Sequence, residues 1–327
     1  MDTSNSSPVL PISDLLASMV SDVQAGLGHA RQKTLPSTYL WDDIGSALFD
    51  TITLLPEYGL SRAGERLLKA HGEEIVSRMS APLAVAELGS GTAHNTRWLL
   101  SALCRRQPTT YYAIEVSRWA LQRCRAELAT IAGLTVSEIP RFYLEGLEDA
   151  VGRLPRSHRL LVLFLGSTIG NFERPAADVF LGDLRALLRP GDALLLGTDL
   201  QQSEEALLPA YDDARGVTAA FNLNMLARLN RDLDGDFDLR QFCHRAVYEP
   251  RHRRVELYLE SQRLQRVRLR KADLDVELGA GEAILTEYSH KFDAYEVTTM
   301  ARRARYRSVA QWRDALWPFA HTLLVPD

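Results

Sequence analysis

The chain has 327 residues, 46% hydrophobic and 24% charged, with a formal net charge of -4. That length admits one large domain or two ordinary ones with a sizeable core, and the slight acidity gives no general attraction to nucleic acid or an anionic membrane. Cys104, Cys124 and Cys243 lie far apart without metal or disulfide spacing, and no apolar run reaches membrane length, so a cytoplasmic chain with no structural metal is expected.

Residues 1–10 are polar and proline-containing and read as a loose tail. Leu15, Leu16, Met19, Val20 and Val23 then recur at helical period, which predicts a helix from Ile12 to about Gly26. The stretch LPSTYLWDDIGSALFDTITLLPEYGLSRAGE packs aromatics and acids densely, as a pocket wall does; a helix pair packed on the main domain is the other reading.

Between Ala63 and Asp199 helices alternate with short apolar strands. Strand signals fall at Leu83–Glu87, Tyr111–Val116, Arg141–Glu145, Leu160–Gly166 and Ala193–Asp199, with helical stretches at Ala120–Ala132 and Ala176–Leu188. Such alternation implies a parallel sheet covered by helices on both faces, a Rossmann-like α/β domain. Its first strand leads into VAELGSGTAHNTRWLL, a strand, glycine turn and helix that shape a nucleotide crevice. A dinucleotide fingerprint needs glycine or alanine where His94 stands, so NAD loses ground. An acid just ahead of G-x-G suits S-adenosylmethionine, with Glu87 facing the cationic end of the cofactor. Glu115, after the next strand, is placed to accept from the ribose hydroxyls. An ordinary tight βα turn is the plainer alternative.

After Asp199 the alternation stops. Residues 200–250 read as helical, with turn chemistry at Asp234-Gly235-Asp236. RHRRVELYLESQRLQRVRLR alternates apolar and polar residues, which predicts paired strands with one solvated face; acids offset its arginines and no aromatics interleave, against nucleic-acid binding. A helix near Glu296–Arg305 and a closing strand pair at WPFAHTLLV complete the chain. His94, His244 and His290 have neither zinc nor triad spacing and read as structural or solvent-facing.

Taken together, WDDIGSALFDTITLLPEYGLSR, VAELGSGTAHNTRWLL, VLFLGSTIGNF, LLLGTDLQ, AYDDARGVTAAFNLNMLARLNRDLDGDFDL and ILTEYSHKF resemble, in order, the histidine-specific methyltransferases of ergothioneine biosynthesis. The resemblance implies a class I methyltransferase core at 63–199, an added α+β substrate domain built from 1–62 and 200–286, and a return to the core at 287–327. It implies S-adenosyl-L-methionine held by Glu87, Gly89, Ser90, Gly91, Asn95 and Glu115. Asn95 stands where the family commonly has lysine. Glu145, Gly146 and Leu147 fall where the family has Asp-Phe beside the adenine.

For the substrate, the resemblance assigns Tyr58 and Tyr211 to the carboxylate, Asn171 to the amine, and Glu287 and Ser289 to the imidazole. Gly166 and Leu257 become walls. Tyr211 and Asn171 become the catalytic pair, with the amine proton leaving to water or through Tyr211. A phenol binds a carboxylate without adding full charge near a sulfonium. Read singly, the tyrosines are equally core residues, Asn171 a turn former and Glu287 a surface acid. The implied reaction is methylation, through to trimethylation, of the α-amine of L-histidine by a monomer. The same chemistry on an aromatic amino acid, a nucleic-acid methyltransferase and a non-catalytic adenosyl-binding module stand as alternatives.

Overall fold

The computed structural model describes residues 12–28 and 31–327, so the expected N-terminal tail lies outside the described residues. Helix α1 (Ile12–Leu27) buries Met19, Val23 and Leu27 along one stripe. A short strand β1 (Lys33–Thr34), α2 (Asp43–Thr53) and α3 (Gly59–Ser77) follow. Asp42 caps α2 by accepting from Gly45 N, the side-chain acceptor a helix start requires.

The alternating region runs β2 (Leu83–Leu88), α4 (Arg97–Cys104), β3 (Thr109–Ile114), α5 (Arg118–Leu128), β4 (Leu134–Ile139), α6 (Tyr143–Arg153), β5 (Arg159–Phe164), α7 (Arg174–Leu187) and β6 (Ala193–Asp199). Next come α8 (Glu204–Tyr211), α9 (Val217–Asp232), β7 (Phe242–Glu249), β8 (Arg254–Ser261), β9 (Gln265–Leu269), β10 (Leu274–Leu278) and β11 (Ala283–His290). The chain closes with α10 (Ala294–Arg303), β12 (Tyr306–Arg313) and β13 (Phe319–Pro326).

Seven strands form one sheet in the order β12-β13-β6-β5-β2-β3-β4. The five from the alternating region are parallel, while β13 is antiparallel to both β6 and β12. Both faces of β2 are buried: Leu83 and Val85 enter one apolar cluster, Ala84, Ala86 and Leu88 the other. That double burial is why the strand reads as a continuous apolar run. The strand order reverses between β2 and β5, and the crevice at the carboxyl ends of strands at such a point is where open α/β sheets bind ligands. A second sheet, β1-β11-β8-β7, lies outside this one, and β9 and β10 form a two-stranded ribbon.

Three expectations change. The fourth strand is Leu134–Ile139, and Arg141–Glu145 instead spans the entry to α6. β4 is the edge of the sheet and half-exposed, so its apolar signal is weak, whereas YLEGLEDAV carries the stripe of an amphipathic helix. The 200–250 region is helical only through Asp232 and turns to strand at Phe242. Finally, β8 and β9 do not pair with each other but join different sheets.

Candidate active site

A cavity of about 1220 Å³ opens at the carboxyl ends of β2, β3, β4 and β5 and is roofed by α2, α3, α8, β8 and β11. At one end lies the glycine turn. Gly89 and Gly91 adopt φ of +69° and +50°, left-handed values that a side chain disfavours, and a Cβ on Gly89 would meet the Tyr143 ring at 3.3 Å. Both Gly89 N and Ser90 N donate to the Ile114 carbonyl, so the bend is tied to the end of β3. Glu115 accepts from Gly91 N at 3.1 Å and from Ser117 N at 2.9 Å, which fixes its carboxylate beside the turn; burial raises its pKa. The Glu87 oxygens accept from Thr96 Oγ1 at 2.8 Å and Tyr111 OH at 2.5 Å, and burial pushes this acid up to about 7. Asn95 Nδ2 donates to the Ser61 carbonyl, linking the turn to α3.

The other end is built by four elements. Arg62 donates to the carbonyls of Leu55 and Pro56, pinning the LPEY turn that presents Tyr58. Tyr211 ends α8, and His244 Nε2–H donates to its carbonyl while Asn222 donates to His244 Nδ1. The two tyrosine rings meet edge to face at 6.4 Å, continuing an aromatic wall through Phe49, Trp41 and Phe221. Asn171 closes the 3-10 turn after β5. A Cβ on Gly170 would lie 2.9 Å from the His290 carbonyl oxygen, so only glycine lets this turn approach β11 so closely.

On β11, the register shifts between Leu285 and Glu287, a bulge that re-aims the strand and sets Glu287 opposite Leu257. Asn171 Nδ2 donates to Glu287 Oε1 at 3.0 Å. Burial pushes Glu287 up to about 8, against the pull of Lys291. Tyr211 and Ser289 lie 2.8 Å apart, oxygen to oxygen. Behind them Lys291, 0% exposed, pairs with Asp199 at 2.7 Å, and Trp317 Nε1 donates to the other Asp199 oxygen.

The model of the S-adenosylmethionine-dependent histidine-specific methyltransferases matches residues 19–326. The chain belongs to that family. It is 41% identical over 310 residues to a histidine N-alpha-methyltransferase of Mycolicibacterium smegmatis, covering 93% of this chain and 94% of the relative. Against the Mycobacterium tuberculosis protein of the same name the identity is 39%, with 92% and 93% covered. A third relative, ergothioneine biosynthesis protein 1 of Schizosaccharomyces pombe, is 29% identical, over 86% of this chain and 37% of its own length.

Within this methyltransferase the cavity walls include Tyr58, Gly166, Asn171, Tyr211, Leu257, Glu287 and Ser289 at one end and Glu87, Gly89, Ser90, Gly91, Asn95 and Glu115 at the other. Glu145, Gly146 and Leu147 are not brought there. Leu147 is fully buried in the core, and Gly146 packs on Ile114, where a Cβ would clash at 2.3 Å. Arg141, Phe142 and Tyr143 line the cavity in their place, because β4 ends before Arg141.

Sequence reasoning also missed Lys291, although period-two spacing carried one residue past the end of β11 would put 287, 289 and 291 on one side. His94 is exposed beside Glu127, and His290 is buried against Arg174 and held neutral, down at about 4. The turn suits S-adenosylmethionine: Gly89 leaves a space that a Cβ would fill, and Ser90 Oγ and both ring nitrogens of His321 are buried at the cavity without a bond.

Proposed function

We propose that this methyltransferase carries methyl groups from S-adenosyl-L-methionine to the α-amine of L-histidine, three in succession, to give hercynine. The observation that carries the reading is the meeting of Tyr58, Asn171, Tyr211, Glu287 and Ser289, from four separate parts of the chain, in the cavity that also holds the glycine turn. Bound S-adenosylmethionine supplies the electrophilic methyl group.

In this reading Gly89, Ser90 and Gly91 hold the cofactor with Glu115 on its ribose, and Phe142 takes the adenine place first given to Gly146 and Leu147. Glu87 and Asn95 shape the opposite side. Tyr58 and Tyr211 donate to the histidine carboxylate. Burial raises the Tyr211 phenol well above its usual range, so it keeps its proton and acts as a donor; the proton of the ammonium leaves to water. Asn171 Oδ1 holds the amine while Nδ2 steadies Glu287. Glu287 and Ser289 bond the ring nitrogens, and a side chain without them would leave buried polar groups unpaired. The work of the protein is alignment and exclusion of water, which the aromatic wall provides.

The same reading treats 1–62 and 200–286 as the substrate lobe, 63–199 as the core and 287–327 as the return. It also takes the protein to act as a monomer on a small molecule, without nucleic acid or membrane. The three cysteines are free, as suits the cytoplasm. The test is mass spectrometry of histidine, and separately tryptophan, incubated with protein and S-adenosylmethionine. Mass gains in methyl steps on histidine are expected; gains on tryptophan alone would replace the substrate, and none on either would overturn the reading.

A further inference from the structure

Lys291 is completely enclosed, and its three ammonium hydrogens have three acceptors: Asp199 Oδ2 at 2.7 Å, Tyr211 OH at 2.5 Å and Ser289 Oγ at 2.8 Å. An ammonium donates and never accepts. Both hydroxyl oxygens must therefore receive a hydrogen from Lys291. They are also bonded to each other, which consumes one of their two O–H groups. One O–H is left for the cavity that both residues line. The pair has two settings. If Tyr211 donates outward, Ser289 donates to Tyr211 and turns its remaining lone pair outward; if Ser289 donates outward, Tyr211 has spent its hydrogen on Ser289.

We infer that Lys291 is a positioning and specificity residue that couples recognition of the two ends of the amino acid. A carboxylate against Tyr211 takes the single O–H, and Ser289 is thereby set as an acceptor, so the ring must offer it an N–H. A ring nitrogen that only accepts then faces a lone pair and is rejected. Water or a neutral residue in place of the ammonium removes the constraint, because Ser289 is then free to donate in either direction. The ion pair with Asp199 keeps the lysine in place, and Trp317 Nε1 at 3.0 Å and the Lys291 N to Arg253 O bond of 2.7 Å hold both partners.

The inference rests on the histidine reading, and its test separates the two. Turnover of histidine and of 3-(2-pyridyl)alanine, whose ring nitrogen has no hydrogen, is compared in the wild type, in Ser289→Ala, in Asp199→Asn/Lys291→Met (which removes both buried charges together) and in the triple variant. In the wild type histidine is preferred. In Ser289→Ala and in the double variant the ratio of kcat/KM falls about tenfold, through KM, and the triple variant falls no further.

A preference that survives in the double variant, with kcat falling equally for both amino acids, overturns the inference and leaves Lys291 a support of the fold. A wild type inactive on histidine overturns the reading and the inference together. Should the double variant not fold, calorimetry on the wild type loaded with S-adenosylhomocysteine decides. Across histidine, histamine, phenylalanine and phenethylamine, the ring nitrogens should contribute at least about fivefold more when the carboxylate is present. Additive contributions overturn the inference.

Discussion

Asn171 Nδ2 donates to Glu287 Oε1 across 3.0 Å, joining the turn after β5 to a strand 116 residues further along the chain. The bond ties the turn after β5, in the Rossmann-like part, to the outer sheet at the wall of the cavity. Replacing Asn171 with Ala removes the donor and leaves a buried acid short of a partner, a cost of about 1–3 kcal/mol. The KM for histidine is expected to rise roughly tenfold or more, while the affinity for S-adenosylhomocysteine by calorimetry stays within about twofold. Equal losses on both ligands would remove Asn171 from substrate binding.

Tyr211→Phe deletes a hydroxyl that contacts Ser289 and Lys291. Turnover should fall by about tenfold or more and thermal stability by about 1–3 kcal/mol, since a buried ammonium loses one of three acceptors. Cofactor affinity should hold. Unchanged steady-state kinetics would rule the phenol out of the mechanism.

Gly170→Ala drives a Cβ to within 2.9 Å of the His290 carbonyl oxygen, and backbone on backbone has little room to give. The turn and β11 must separate, at a cost of about 1–3 kcal/mol of overpacking. Histidine KM should rise with it, measured beside chemical denaturation. A variant as stable and as active as the wild type would show that the approach is dispensable.

Phe142 and Leu147 separate the two places offered for the adenine. Phe142→Ala should weaken S-adenosylhomocysteine binding about tenfold with little change in stability, because the ring lines the cavity. Leu147→Ala, in the packed core, should cost about 2–5 kcal/mol of stability and leave the affinity of the folded protein nearly unaltered. The reverse pattern would restore the first assignment.

Glu287 also has a pH signature. Its folded pKa of about 8 lies above the ordinary 4.5, so the folded state holds this proton more tightly than the unfolded chain does. Stability from this group is therefore present below about 4.5 and is lost as pH rises to about 8. Glu287→Gln has no proton to lose. Melting temperatures of the two proteins should diverge in favour of the variant between pH 5 and 8 (values set by those pKa limits, roughly) and then run parallel. Glu87, up at about 7, tilts both curves alike and cancels in the difference. Parallel curves throughout would place the raised affinity elsewhere.

Much of the sheet was legible because its cues are local. The apolar run Leu83–Leu88, the left-handed glycines after it and the helix that follows are neighbours in sequence, and burial on both faces leaves an uninterrupted pattern. The motifs around Tyr58, Asn171, Tyr211 and Glu287 were likewise readable, each within its own short segment.

That Arg141, Phe142 and Tyr143 line the cavity was not legible, since β4 is an edge strand whose half-exposed residues carry little apolar signal, and the expectation slid forward to Gly146 and Leu147. Nor does any local pattern pair Lys291 with Asp199, 92 residues earlier, or bring Gly170 against the His290 carbonyl. By itself the sequence determined the strand–helix alternation of the core and the glycine bend, and it offered Tyr58, Asn171, Tyr211, Glu287 and Ser289 as candidates for one site. Only the tertiary structure decided which of them share one cavity and which way their hydrogen bonds run, because a buried charge must find its partners wherever the fold, and not the chain, makes them neighbours.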